Sequence, residues 1–326
     1  MNSKIFRNVF TIFLISLTSL FSEEITTTLP PQDIPPKIED TPTPPQEPPQ
    51  KKYHLAACAI FQDEAPYLRE WLEYHKLVGV EHFYLYNNES KDNFNDILAP
   101  YIASGEVTLI DWPNKPVPKH RNRRYGPWVT STQAPAYYNA IEIAKGETDW
   151  LAVIDLDEFI VPVASMSLNT YLDKFSNYSQ LVIKWQIYGT SNVYSLPAGT
   201  LLIEKLIMKS LPSEDLNNST KTIIKPDDVT DFCWIPHKFN VKPGCQELSC
   251  SLDELRINHY INRTIEYFNN VKIKKKERME GKPMDKLWKK TFLNLGNDIE
   301  DPIMLKFVPL LKINVFKPLE INPVER

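Results

Sequence analysis

The chain has 326 residues, 42% of them hydrophobic, and 37 Lys and Arg against 41 Asp and Glu, a formal net charge of -4. That balance excludes a histone-like polycation and a multispanning membrane protein, and it gives nucleic acid no electrostatic footing. Cys58, Cys233, Cys245 and Cys250 form no CxxC pair, which excludes zinc-ribbon spacing and a thioredoxin-like motif.

Lys4 and Arg7 precede an apolar run from Val9 to Phe21, and Glu23 and Glu24 close it. This order of charge and hydrophobicity reads as a secretory signal, residues 1–22, with an uncleaved amino-terminal anchor as the alternative. The run is short against the ~20 residues of a spanning helix. Either reading exports the rest of the chain, secreted or held at a membrane by residues 4–21. Residues 23–50, with LPPQDIPPKIEDTPTPPQEPPQ from Leu29, are too rich in proline for a packed element and read as a spacer. Residues 51–326 then form the globular domain.

That domain opens with YHLAACAIF, an apolar run of strand length from Tyr53, followed by an amphipathic helix, APYLREWLEYHKLVG. Leu68, Trp71, Leu72 and His75 share one face of that helix, and His75 is expected to pack. HFYLYNN, FNDILAPYIASG and EVTLIDW continue as strand, helix and strand. The alternation predicts an α/β fold whose central sheet is mostly parallel with flanking helices, becoming mixed toward the carboxyl half. Sites in such sheets lie beyond the carboxyl ends of the strands, which singles out Asp63, Glu64, Asn87, Asn88 and Asp111, and carboxylates there suit base and ribose contacts. GxGxxG and GxxxxGK[ST] are both absent, so neither a dinucleotide fingerprint nor a P-loop is present.

GPWVTSTQAPAYYNAIEIAKGETDW places Gln133, Tyr137 and Asn139 on a helix that runs into the most acidic strand end, DWLAVIDLDEFIVPV. There Asp155 and Asp157 follow an apolar strand at i and i+2, and in an extended segment both point the same way. No Lys or Arg stands beside them. A divalent cation, Mn²⁺ or Mg²⁺, would relieve their repulsion and keep positions open for substrate phosphates. A solvated acidic turn is the plain alternative. HRNRRYG upstream carries Arg121, Arg123 and Arg124 as a phosphate-facing or merely solvated loop.

Beyond a strand at Leu181 to Ile187, Gly189 allows a tight turn. Lys221 in KTIIKP is placed to reach a phosphate or to be solvated. His237 and His259 follow the main sheet; a neutral histidine can donate to a pyrophosphate oxygen or ligate a divalent cation, the first read for His237 and the second for His259, with structural burial as the alternative. Asp231 and Glu158 are candidates for a general base, although alternation separates Glu158 from Asp155 and Asp157 and so turns it from a substrate held there. Cys245 and Cys250 are spaced for a loop staple, while Cys58 is expected to be buried. NVKIKKKERMEGKPMDKLWKK reads as a basic amphipathic helical end, solvated or facing anionic lipid or acceptor.

Several of these segments together resemble glycosyltransferase family 92: CAIFQDEAPYLREWLEYHKLVGVEHFYLYNNES, Gln133 with Tyr137 to Asn139, DWLAVIDLDEFIVP, WQIYGTS, KTIIKP, the His237 segment and INHYINRTIEYF. The resemblance runs from about Tyr53 to Lys290. It implies a GT-A-like fold, a UDP-sugar donor with galactose a candidate sugar, a divalent metal at Asp155 and Asp157, a glycan or other hydroxyl acceptor, and inversion at the anomeric carbon. Where the family has asparagine before glutamate at the first strand end, Asp63 stands here, and a carboxylate can still accept a uracil imide hydrogen. A metal-dependent phosphoesterase or nucleotidyltransferase, and a secreted carbohydrate-binding domain without catalysis, are the other readings.

Overall fold

The computed structural model describes residues 50–113, 132–231 and 237–318. The leader, nearly all of the spacer, Arg121, Arg123, Arg124 and Cys233 lie outside the described residues. The domain begins with β1 (Tyr53–Phe61), α1 (Ala65–Leu77), β2 (His82–Asn87), α2 (Phe94–Ala103) and β3 (Val107–Asp111). It continues through α3 (Gln133–Ala144), β4 (Thr148–Val153), β5 (Glu158–Pro162), α4 (Asn169–Lys174), β6 (Gln180–Ile187), α5 (Leu202–Lys205), β7 (Met208–Lys209) and β8 (Thr220–Ile224). The last part holds β9 (Glu247–Ser249), β10 (Leu255–His259), α6 (Ile265–Tyr267), α7 (Ile273–Glu280), α8 (Lys286–Asn294), β11 (Ile299–Glu300) and α9 (Val308–Phe316).

The main sheet runs β3-β2-β1-β4-β8-β6-β10-β5, with β9 added on β6. The half from β3 to β4 is parallel. Antiparallel pairs enter at β4–β8, β8–β6 and β10–β5, so the sheet is mixed toward the carboxyl half, as expected. Side chains along β1 alternate between two cores: Leu55, Ala57, Ala59 and Phe61 on one face, Ala56 and Cys58 on the other. β4 divides likewise, with Trp150 and Ala152 against Leu151 and Val153. Both faces are covered, α1 on the first and α3 on the second, and this is why these strands read as unbroken apolar runs.

One connection bends the sheet. β4 passes into β5 through four residues, and the Glu158 N–H donates to the Asp155 carbonyl at 3.1 Å, closing a tight turn whose ends lie within about 7 Å. Yet β8, β6 and β10 stand between those two strands in the sheet order, a separation of ~19 Å if the sheet were flat. The carboxyl half therefore curls back on itself around residues 154–157. The α1 helix pins the turn from the other side. Trp71 Nε1 donates to the carbonyls of Glu158 (2.9 Å) and Asp155 (3.2 Å), and the Tyr74 hydroxyl donates to Ile160 O at 2.9 Å. His75 is buried, as expected, and burial lowers its pKa to about 3, which keeps the ring neutral beside Trp71 O and Ile160 N.

Gly189 serves close approach rather than a left-handed turn. A Cβ there would lie 2.6 Å from the backbone of Gly296, and Gly189 N donates to Gly296 O at 2.9 Å. A second tie joins α1 to α5: the buried Glu70 carboxylate accepts from Leu202 N (2.8 Å) and Ile203 N (3.0 Å). Burial pushes the Glu70 carboxyl up to about 7, although those two amides and Arg263 favour its charge.

Two stability measurements follow. Gly189→Ala forces backbone against backbone and should cost about 1–3 kcal/mol in a urea titration, with a matching drop in Tm. Glu70 holds its proton longer in the folded chain than in the unfolded one. Its contribution is therefore complete below its ordinary value near 4.5 and is lost as pH rises to about 7. Glu70→Gln should remove that slope, so that the unfolding free energy of the wild type falls by up to ~3 kcal/mol more than that of the variant between those limits.

Candidate active site

The turn that bends the sheet also carries the acidic pair. Asp155 and Asp157 are not in an extended segment, and the expectation that both point the same way does not hold: residues 154–157 form the turn, and each carboxylate meets a different group. Oδ1 of Asp155 accepts from Gln133 Nε2 at 2.6 Å and from the Tyr137 hydroxyl, and it lies 2.8 Å from Lys221 Nζ. Gln133 is the first residue of α3 and Tyr137 is one turn on, so the helix presents both to the same oxygen. No described residue donates to Oδ2, and the Asp155 side chain is 29% exposed.

Lys221 is not solvated. It is fully buried on β8, paired to Asp155 and 3.5 Å from Glu158 Oε2, with Nζ over the Tyr137 ring. Burial lowers its pKa, but Asp155 and Glu158 outweigh that and hold it charged. Glu158 is also fully buried. Its Oε2 accepts the Asp155 N–H at 2.9 Å and its Oε1 has no partner. Burial lifts the Glu158 carboxyl well above the carboxylate range despite Lys221. The carboxyl is turned away from solvent, as expected, although a turn and not strand alternation places it there, against the Asp155 backbone and Lys221.

Asp157 is 27% exposed and meets the closing segment of the fold. Its Oδ2 lies 3.3 Å from Nε2 of His259, the last residue of β10, which β5 holds in register opposite Glu158. The His259 ring packs edge-on to Trp185 at 4.3 Å, and its Nδ1 is buried without a partner. Burial raises the Asp157 carboxyl, but His259, Arg263 and Lys272 outweigh it and hold the group below the usual range. Arg263 has a left-handed backbone, φ 49°, and is buried between the rings of Tyr67 and Tyr267 while its guanidinium pairs with Glu64. Burial raises the Glu64 carboxyl against that pairing. Lys272 closes a π-helical turn, Phe268–Lys272, inserted between α6 and α7, and its ammonium donates to Ile261 O. Burial lowers the Lys272 pKa to about 8, with Asp157 opposing.

A third group lines the ends of the parallel strands, where the topology directed attention. Asn87 Nδ2 donates to Asp111 Oδ1 at 3.1 Å, and Asn87 Oδ1 accepts from Ser90 N at 2.9 Å. Asp63 accepts from Lys91 N at 2.6 Å with its backbone at φ 56°, and its side chain is exposed. His237 lies in a turn, where Nδ1–H donates to Thr220 O at 2.7 Å and the ring meets the edge of Trp185. Burial, and then Lys221, lower its pKa. Asp231 is exposed, and its carbonyl accepts from the Tyr138 hydroxyl.

The structure thus brings Gln133, Asp155, Glu158 and Lys221 into one cluster and Glu64, Asp157 and His259 into another across the same turn. Asp63 and Asn87 stand at the strand ends, His237 shares Trp185 with His259 and feels Lys221 and Asp155, and Asp231 is exposed. Reading the sequence missed Arg263, Lys272, Tyr267 and Trp185. Arg263 lies inside INRT, directly after the His259 strand, which was its only signal; Lys272 is hidden at the head of a lysine run. The statement that no cation compensates the acidic pair is also overturned, because Lys221, Arg263 and Lys272 all do so from distant segments. Cys245 and Cys250 are free thiols, so the expected staple does not form, whereas Cys58 is buried as expected.

Among the described residues no three His, Cys, Asp or Glu side chains already converge as a metal cage. The donor set nonetheless suits a hard divalent cation. It offers two partly open carboxylates and an imidazole nitrogen at the rim, and Mg²⁺ or Mn²⁺ takes only one or two carboxylates when substrate phosphates complete the shell.

The chain matches the sequence profile of Glycosyltransferase family 92 over residues 52–299. A glycosyltransferase family 92 protein of Ricinus communis is 25% identical over 224 residues, covering 67% of this chain and 37% of that protein. One of Arabidopsis thaliana is 27% identical over 221 residues, covering 64% and 35%. The chain therefore spans little more than a third of the length of the curated relatives it matches. Among solved structures, S. aureus TarS 1–349 is similar at a TM-score of 0.36 and 13% identity, over 83% of this chain and 76% of that one. A glucosyl-3-phosphoglycerate synthase from Mycobacterium tuberculosis, in complex with Mn²⁺, UDP and glucosyl-3-phosphoglycerate, is similar at 0.26 and 14%, over 48% and 47%. These structural likenesses are distant, and the assignment rests on the profile, which spans well over half of the sequence: the chain belongs to glycosyltransferase family 92.

Proposed function

We propose that this chain is a metal-dependent, inverting glycosyltransferase that moves a hexose, with galactose the first candidate, from a UDP-sugar to a glycan or other hydroxyl acceptor. The observation that supports this most is the Asp155–Asp157 turn, a partly open pair of carboxylates at a strand end. Asp155, Asp157 and His259 would hold Mn²⁺ or Mg²⁺. Such a cation neutralises charge on a departing nucleoside diphosphate.

The other residues divide the work around that pair. Lys221, Gln133 and Tyr137 fix one oxygen of Asp155, and Glu158 fixes its backbone, so the carboxylate is positioned before substrate arrives. Glu158 is thus a positioning residue. Asp63 and Asn87 suit the uracil and ribose, with Glu64 held behind them by Arg263. Lys272 and Arg263 add positive charge where the diphosphate would lie, while His237 is held neutral beside Lys221 with its Nδ1–H on Thr220 O. Asp231, the exposed member of the two base candidates, takes the acceptor proton. The chain acts after export, with residues 1–22 as signal or anchor.

Calorimetry on the full chain with a panel of UDP-sugars tests the donor site. Saturable binding that requires Mn²⁺ and vanishes in the Asp155→Asn, Asp157→Asn double variant is the expected outcome. A folded wild type that binds no UDP-sugar would overturn the reading. Asp231→Asn should leave the donor Kd within about twofold while lowering turnover by ~10²–10⁴, the range for a lost general base. Unchanged turnover would remove Asp231 from the mechanism.

A further inference from the structure

The lysine-rich stretch has a second half that the donor site does not use. Residues 272–290 carry nine basic and three acidic side chains, net +6, in a chain whose total is -4. Lys272 turns inward to the site. The rest forms a helical hairpin: α7 ends at Gly281, which takes the left-handed cap at φ 68°, and α8 begins after Asp285, whose Oδ1 accepts from Leu287 N and Trp288 N. The base of the hairpin is anchored. Ile273 is buried, Trp288 stacks on Phe292, and Lys276 lies over Trp288.

The tip is different. Met279 is 80% exposed and Leu287 is 72% exposed, and these two large apolar side chains flank the connection from Gly281 to Asp285. Lys274, Lys275, Arg278, Lys286 and Lys290 lie on the same two helices, and no carboxylate among the described residues lies within ion-pair distance of any of the five, although the charge of Lys275 is felt at Glu64. A purely solvated tip gains nothing from exposed Met and Leu, and a protein-binding patch would tolerate fewer uncompensated cations. Apolar side chains interspersed with lysine and arginine are what an anionic bilayer surface takes up: the hydrocarbon enters the headgroup boundary and each cation meets a lipid phosphate.

We infer that the α7–α8 tip is a membrane-surface docking element for anionic phospholipid, with Met279 and Leu287 entering the interface and the five cations binding headgroups. From Lys272 to Met279 the helix rises ~10 Å. Docking therefore sets the donor site's rim close to the lipid surface. This inference stands on the hairpin alone and does not depend on the transferase reading.

Hydrogen exchange read by mass spectrometry on the full chain tests it by position. Vesicles of phosphatidylcholine alone control for any binding through residues 9–21. Adding phosphatidylglycerol should protect residues 274–290, and high salt should remove that protection. It should also be lost in Lys274→Glu, Lys275→Glu, Arg278→Glu and, separately, in Met279→Ser, Leu287→Ser, both checked for an unchanged melting curve. Equal protection by neutral vesicles, no protection at all, or protection by a soluble sulfated glycan but not by anionic vesicles would each overturn the proposal. Should either variant fail to fold, the comparison of neutral with anionic vesicles on the wild type still decides.

Discussion

A single buried ammonium organises the domain. Lys221 has no access to water, and removing a full charge from solvent costs several kcal/mol unless well-placed partners offset it. Its partners, Asp155 and Glu158, lie on either side of the turn between two strands that the sheet order keeps far apart. β8 must therefore lie against both, and the sheet must curl for it to do so. The curvature that encloses the lysine also leaves the outer oxygen of Asp155 at the rim. Structural and chemical demands thus meet in one carboxylate, with one oxygen assigned to each.

Around that centre the site is assembled from segments that are remote in the chain. Gln133 and Tyr137 come from the helix that covers one face of the sheet, and His259 from a strand paired to the far edge. Arg263 arrives on a left-handed residue and closes on Glu64, which lies at the first strand end almost two hundred positions earlier. Holding a non-glycine residue in that backbone conformation costs about 1 kcal/mol or more, and the ion pair with its two flanking tyrosine rings offsets it. The strain is placed where the carboxyl-terminal segment folds back over the strand ends.

How much of this could be read from the sequence follows from range. The first five elements were legible almost to the residue, because doubly covered parallel strands announce themselves as apolar runs and α1 repeats its buried face at helical spacing. That Asp155 and Asp157 follow a strand, that Gln133 lies on the helix before it and that His259 ends another strand was also legible. The burial of Lys221 was not, because a lysine between two threonines looks the same whether its partners are water or carboxylates brought by other strands. Alternation turned Glu158 the right way for the wrong reason, since it presumes an extended backbone and the segment turns. Nor could local spacing distinguish a disulfide from the two separate thiols at Cys245 and Cys250.

The π-helical turn at Phe268–Lys272 has a consequence for how this chain can vary. One wider turn resets the rotational phase of everything after it, as if a dial had been moved by part of a revolution. A run of lysines that composition treats as uniform is thereby sorted: the one at the end of the wide turn points to the acidic site, and those beyond it point outward. Lys275, just beyond the turn, still acts on Glu64 and Lys272, so the inner charge balance is insulated only from the lysines farther along. A single-residue deletion inside the wide turn would instead rotate the whole run and exchange an interior role for an exterior one. The two surfaces are thus coupled through helical register and, at Lys275, through charge.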